Sequence, residues 1–238
     1  MNAIKTTLCL AVTALALMAA TTAARATVVI NNSYIGATTD TFNAQPSGNV
    51  VGFIAEPGAT YGERFAGQTL TTTGFDALIG TPTANLTLLA NLSSASNVGI
   101  IPFGGSQVIY GDLNGQIGEG ALSILLLMDS DGFGFDLVGT NGGAFTAQFF
   151  ARNGSLLGSI TQSAIQDGYV GFSSDTCIAG VSLTNVDVGG IGYDNFQFGS
   201  KISRCNSVPE PGSLSLAGLA LGVTGAVSLR RRKQQGLA

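Results

Sequence analysis

Three aspartates lie close enough in the sequence to suggest acid–base chemistry: Asp129, Asp131 and Asp136. Two carboxylates on either side of a glycosidic bond form the catalytic pair of most glycoside hydrolases. On an extended strand, however, Asp129 and Asp131 would share one face about 7 Å apart, and no neighbouring residue distinguishes an acid from a base. The chain contains no His, which removes Ser-His-Asp and Cys-His catalysis and the usual zinc sites. We therefore interpret these residues as solvated loop acids and expect no enzyme activity.

Calcium is the one cofactor that the acidic residues suggest. The run Asp129-Ser130-Asp131-Gly132 resembles the first part of a calcium-binding loop. The later acidic ligands of an EF-hand are missing from the residues that follow. We therefore expect no EF-hand at this position.

The C-terminal part of the chain contains a short apolar segment, residues 213–229, without a charged residue. As a helix it would be about 25 Å long, near the lower limit for crossing the bilayer core of about 30 Å. Cations that flank a span stay on the cytoplasmic side. Four of them follow here in the basic tail 230–238: Arg230, Arg231, Arg232 and Lys233. The sequence therefore predicts one transmembrane helix, with everything before Ser213 outside the inner membrane.

A four-residue motif comes just before this segment: Val208, Pro209, Glu210 and Pro211. The prolines remove backbone donors and disfavour helix, so the motif should be extended and accessible to a cleaving enzyme. The motif, the apolar helix and the Arg cluster, in this order over 208–238, resemble the PEP-CTERM sorting signal. This resemblance implies that a membrane-embedded exosortase cleaves near the motif and transfers the protein to the cell surface. The alternative is an ordinary single-span tail anchor.

The N-terminal residues 1–26 are typical of a cleaved secretory signal peptide. They have a positively charged start, an apolar run from Leu8 to Ala20, and the small residues Ala24 and Ala26 at the end. Cleavage after Ala26 would make Thr27 the first residue of the mature chain. The protein is therefore expected to be exported through the inner membrane, and to be anchored there by the C-terminal helix only until the tail is processed.

Residues 27–207 remain between the two ends, enough for one domain with its own core. This region contains thirteen Asp and Glu residues against four Lys and Arg residues, a net charge of −9, whereas the whole chain carries −4. Such a surface repels nucleic acid and anionic lipid, so we expect no nucleic-acid partner. Calcium or a neutral polysaccharide would suit it better.

Two cysteines lie in the predicted mature chain, Cys177 and Cys205. In an oxidising compartment an even pair favours one disulfide, which would close a loop of nearly thirty residues. The alternative is a pair of unrelated thiols.

The region 27–207 is rich in Gly and contains many short apolar runs that end at turn residues, a pattern typical of an all-β β-sandwich or jelly roll. Asn153-Gly154 predicts a tight hairpin turn with positive φ angles. Residues 69–115 are less regular, and their pattern predicts no strand order. The predicted strands are Thr27–Asn31, Val50–Ala55, Ala121–Met128, Gly143–Phe150, Ser155–Thr161, Tyr169–Phe172, Ile178–Leu183 and Tyr193–Phe198.

A second resemblance covers roughly residues 117–199. The runs Phe133–Leu137, Gly168–Ser173 and Ile191–Phe196 are similar in order to the jelly-roll, lectin-like ectodomains that PEP-CTERM surface proteins often carry. The resemblance implies that Asp194, on the last strand, is either a ligand of structural calcium or a buried or capping Asp bonded to the turn before it. It also leaves two functions open. One is a structural or adhesive role at the cell surface or in extracellular matrix, and the other is carbohydrate binding on extracellular polysaccharide.

Overall fold

The computed structural model describes residues 26–72, 74–91, 97–199 and Cys205, and over these residues the protein is all-β. No helix in these ranges is long and apolar enough to cross a membrane. The sorting motif, the predicted span and residues 1–25 lie outside the described residues. In chain order the strands are β1 (Val28–Ile30), β2 (Thr38–Asp40), β3 (Gly48–Val50), β4 (Ile54–Ala55), β5 (Ala59–Gly62), β6 (Arg64–Phe65), β7 (Thr69–Thr72), β8 (Asp76–Ile79), β9 (Leu88–Leu89), β10 (Val98–Phe103), β11 (Ser106–Leu113), β12 (Gln116–Ile117), β13 (Leu122–Val138), β14 (Ala144–Phe150), β15 (Leu156–Ser163), β16 (Gly168–Asn185) and β17 (Gly192–Phe198).

Two long strands, β13 and β16, organise the fold because they pair with each other and take part in both layers of a sandwich. Their register shifts between Leu125 and Ser130 and again between Ser130 and Gly132. Such bulges bend a strand and let it pass from one layer to the other. The first half of β13 and the second half of β16 form one layer with β15, β14, β5 and β4. The other halves form the second layer with β1, β17, β2, β11, β10 and β3.

Aromatic side chains fill the space between the two layers. Phe149 of the first layer lies 4.9 Å from Phe172 of the second, measured between ring centroids. Phe135 contacts Phe145 across the same space at 5.8 Å, with the rings nearly perpendicular. Edge-to-face pairs of this kind add to the stabilisation that comes from removing the rings from water. A smaller apolar cluster, around Phe65 and Phe150, lies apart from this core.

The strand predictions are confirmed in kind but are wrong in several boundaries. Tyr169–Phe172 and Ile178–Leu183 are parts of one strand, β16, and the strand predicted to end at Met128 continues to Val138. The predicted strand Val50–Ala55 is broken, because β3 ends at Val50 and β4 begins at Ile54. Gly52 between them has a φ of 106°, a left-handed conformation that favours glycine and lies outside the usual range of extended backbone.

The hairpin predicted from Asn153-Gly154 joins β14 to β15. The N–H of Gly154 donates to the carbonyl of Ala151 at 2.9 Å, and Gly154 has a φ of 84°. Asn153 is not among the described residues with positive φ, so only one of the two predicted angles is confirmed. A three-residue loop with Gly in the left-handed position is a common alternative to the two-residue turn.

The region 69–115, for which no strand order was predicted, contains regular structure. β10 and β11 pair in register from Val98 opposite Gly111 to Phe103 opposite Ser106. The two residues between them, Gly104 and Gly105, both have positive φ, at 60° and 94°. A Gly-Gly pair between two apolar runs is a hairpin signal, and it could have been recognised from the sequence.

Candidate functional site

The aspartates considered for catalysis are engaged in structural contacts. Asp129 accepts hydrogen bonds from the guanidinium of Arg152, one of them from Nε at 3.0 Å. Asp129 and Asp131 are therefore not loop acids as predicted, since both lie within β13 at its bulge. Asp136 accepts a hydrogen bond from the side-chain amide of Asn195 at 2.7 Å. The bulge explains the error, because it interrupts the alternation by which a strand is recognised.

Asp194 is buried, as one of its two interpretations required, but its partner differs from the predicted one. Its Oδ2 accepts the hydroxyl hydrogen of Ser106, at 2.7 Å, from the end of the β10–β11 hairpin. Its Oδ1 accepts the N–H of Asn195, also at 2.7 Å. The prediction that it bonds to the turn before it is therefore wrong. Over the described ranges, no group of three or more His, Cys, Asp or Glu side chains is arranged to hold a metal ion.

A hydrogen-bonded latch formed by Tyr34, Ser130 and Gly199 holds the end of the last strand. The N–H of Gly199 donates to Oγ of Ser130 at 2.9 Å, and the hydroxyl of Tyr34 donates to the carbonyl of Gly199 at 3.1 Å. Ser130 is fully buried at the bulge of β13. Burial raises the pKa of Tyr34 above its ordinary value, and its protonated hydroxyl is the donor in this contact. This latch fixes the point from which the chain continues towards the C-terminus.

The predicted disulfide between Cys177 and Cys205 is present. Cys177 belongs to β16, and its Cα lies 5.4 Å from that of Cys205. Both cysteines border a cavity of about 290 Å³, which Tyr34 and Asp131 also line. The disulfide therefore anchors the chain a second time, six residues beyond Gly199 and three residues before Val208.

The predicted start of the mature chain lies at the same end of the domain. β1 pairs with β16 from Val28 opposite Ser174 to Ile30 opposite Phe172. The N–H of Thr27 donates to Oδ1 of Asp175 at 2.9 Å, two residues before Cys177. This hydrogen bond lowers the pKa of Asp175, which keeps its carboxylate charged. Both predicted processing points therefore adjoin described residues around the Cys177–Cys205 disulfide.

An apolar groove of about 410 Å³ opens beside the latch. It lies between the turn at Pro57, the bulge residues Leu127 and Met128, and Phe198 of the last strand. Leu127 and Met128 are 60% and 61% exposed, which is high for such apolar side chains. The groove contains one charged lining residue, Asp129, which is already paired with Arg152.

Two features of this end were missed by the sequence reasoning. The latch joins Tyr34 to Ser130 and Gly199, which are far apart in the chain, and no local motif connects them. The other feature is the carboxylate of Asp40, which accepts the hydroxyl of the buried Tyr61 at 3.1 Å and the N–H of Gly58 at 3.2 Å. Burial raises the pKa of Asp40, so keeping this carboxylate ionised inside the domain costs free energy.

Comparisons with known proteins bear mainly on the C-terminus. Residues 207–233 match the PEP-CTERM protein-sorting motif. No curated protein matches the sequence. A solved structure of a family 6 carbohydrate-binding module has 17% sequence identity and a TM-score of 0.30, covering 45% of this chain and 83% of that one. The sorting motif indicates export to the cell envelope or surface with processing by an exosortase. The chain therefore carries a PEP-CTERM protein-sorting motif behind an all-β domain.

Proposed function

We propose that this protein is a structural or adhesive component of the cell surface or extracellular matrix, delivered there by cleavage of its C-terminal sorting motif. The observation that carries the proposal is the match of residues 207–233 to the PEP-CTERM motif, immediately after the disulfide anchor at Cys205. The mature product would contain the β-sandwich of residues 27–207. It would act through its surface and not through catalysis.

The disulfide supports a specific geometry for cleavage. Three residues separate Cys205 from Val208, and a fully extended chain spans at most about 3.6 Å per residue, so the motif begins within about 11 Å of the anchor. The cleaving enzyme therefore works close to the folded domain. The chain is attached to the domain at Gly199 and at Cys205, and both points lie between β17 and the motif. A displacement of the tail during cleavage would therefore leave the position of β17 unchanged.

The remaining parts of the tail have separate roles in this proposal. The motif Val208–Pro211 supplies an extended substrate, since its prolines exclude helix. The segment 213–229 retains the protein in the inner membrane until cleavage, and the cluster Arg230–Lys233 keeps the end of the chain in the cytoplasm. The membrane anchor is therefore temporary, and the N-terminal signal peptide ending at Ala24 and Ala26 starts the export.

The proposal is tested by changing the motif and following the protein in cells that contain an exosortase. Glu210→Gln should leave the protein in the inner-membrane fraction at its full tail length, because the recognised motif is altered while the span is intact. Replacing Arg230, Arg231 and Arg232 by Gln should reduce correct insertion and lower the yield of surface protein. Asn206→Gln, just before the matched residues, is the control and should reach the surface as wild type does.

Two outcomes would contradict the proposal. One is surface release of the Glu210→Gln protein in wild-type amounts. The other is equal release of wild type from cells that lack an exosortase, which would instead favour an ordinary tail anchor that is lost by unrelated proteolysis.

A further inference from the structure

One edge of the sandwich differs from the others. Edge strands expose unpaired N–H and C=O groups, and natural proteins blunt them by making them short or by adding charge, proline or bulges. In the described part of the chain, β1, β2 and β3 have three residues each, and β4 and β12 have two. The edge strand β15 has eight residues, Leu156–Ser163, and it pairs only with β14.

The sequence of β15 lacks the usual protection. Its residues are Leu-Leu-Gly-Ser-Ile-Thr-Gln-Ser, with no charged residue and no proline. Its register with β14 is continuous from Phe149 opposite Gly158 to Ala144 opposite Ser163, and the one shift lies at its start. Leu156 is 45% exposed, and the side chains of Ser159, Thr161 and Ser163 are also exposed. A neutral edge strand of this length is a template for a further strand.

Charge indicates which strand would fit. The domain 27–207 carries a net charge of −9, so two copies repel each other over most of their surfaces. The uncharged edge is where a second copy can approach without placing like charges opposite each other. A partner of opposite overall charge would gain little electrostatic attraction by binding at an edge that carries no charge. The neutral edge on an acidic domain therefore suits another copy of the same chain.

The two ends of β15 indicate the orientation. Arg152 lies four residues before the strand, and Asp167 lies four residues after it. Parallel pairing of two copies would bring the two Asp167 carboxylates to the same end. Antiparallel pairing brings Asp167 of each copy towards the end where the other has Arg152, whose charge is shared with Asp129. Antiparallel pairing is also the geometry of a two-fold symmetric dimer.

We propose that β15 pairs antiparallel with β15 of a second copy, which joins two sandwiches through one continuous layer. The inference concerns only residues of the β domain. It therefore stands or falls separately from the sorting proposal.

The test compares the mass of the full-length chain in detergent before and after charge is added to the edge. Sedimentation velocity should show a concentration-dependent dimer for the wild type. The double variant Ser159→Lys and Ser163→Lys places two cations on exposed edge positions of each copy, and it should remain a monomer at every concentration tested. The matched control, Thr81→Lys with Thr83→Lys, adds the same charge at exposed loop positions and should dimerise as wild type does.

Hydrogen exchange separates this pairing from association through the membrane segment and from misfolding. In the wild type, amide protection in β15 should rise with protein concentration by at least about tenfold, while β3, the edge at the other end of the sheet, stays unchanged. A dimer whose β15 amides gain no protection would overturn the proposal. A wild-type protein that is monomeric throughout would also overturn it, and so would a correctly folded edge variant that dimerises as before.

Discussion

Breaking the Cys177–Cys205 disulfide gives a quantitative test of how the end of the domain is held. The two cysteines are 28 residues apart. In the chain-entropy model, a loop of this length contributes about 3.5 kcal/mol to the free energy of unfolding. For a domain of this size each kcal/mol corresponds to roughly 2–4 °C, so the variants should unfold about 7–14 °C below the wild type. Without the disulfide, the nearest anchor is Gly199, and the motif begins up to about 32 Å away instead of about 11 Å.

The assay is thermal unfolding of Cys177→Ser, Cys205→Ser and the double variant, with and without a reducing agent. If the covalent link is what stabilises, all three variants should unfold at the same temperature, and the reducing agent should bring wild type down to it. The double variant should not respond to reduction. Two results would refute the reasoning. One is a single variant that unfolds at the wild-type temperature. The other is a double variant much less stable than either single one, because that result would assign the effect to packing of the side chains.

Three further predictions follow from the described contacts. Asp76 is buried, and in the described structure its Oδ1 has no hydrogen-bond partner, while burial raises its pKa. The ionised form of Asp76 therefore destabilises the folded protein above that raised pKa. Asp76→Asn should stabilise the protein by on the order of 1 kcal/mol at pH 7 in urea unfolding, and the gain should vanish near pH 4. A gain that is independent of pH would contradict this cause. Tyr34→Phe removes the hydroxyl that contacts Ser130 and Gly199, and it should cost about 1 kcal/mol in the same assay. An unchanged stability would show that this hydroxyl contributes nothing to the latch. A structural role predicts no binding on a glycan array, and binding that chelation of calcium abolishes would favour the carbohydrate-binding hypothesis instead.

Residue types within short stretches were enough to predict the fold class, one hairpin, the disulfide and the sorting motif. The all-β fold class, the β14–β15 hairpin and the Cys177–Cys205 pair were predicted correctly. Their signals lie within short stretches or in composition: apolar alternation, Asn153-Gly154, and an even number of cysteines in the predicted mature chain. The sorting motif was recognised from Pro209, Glu210 and Pro211 for the same reason, and its match over 207–233 agrees with that recognition. Cleavage after Ala26 remains a prediction.

The bent strands could not be predicted from alternation. In β13, Leu127 and Met128 are consecutive and both exposed, so the period of two that marks a strand stops at the bulge. The strand nevertheless continues, because its second half pairs with β16 and β17 in the other layer. Asp129 and Asp131 consequently had the sequence pattern of a loop while lying within a strand.

The contacts at the C-terminal end of the domain are long-range. Tyr34 and Ser130 are 96 residues apart, and Ser106 and Asp194 are 88 apart. Such pairs form because the sandwich brings distant strands together, and a single sequence contains no local trace of them. Burial of Asp194 was one of the alternatives that the sequence left open, but its partner could be identified only once the β10–β11 hairpin was located beside β17.

Intact mass of the protein recovered from outside the cell tests the central claim most directly. Processing at both ends predicts a chain that begins at Thr27 and lacks the residues after the Pro209-Glu210-Pro211 motif. It also predicts a mass 2 Da below that of the fully reduced chain, because one disulfide is present. External protein that still contains Arg230 to Ala238 would contradict the claim, since the apolar segment would then be a permanent anchor and not a sorting device.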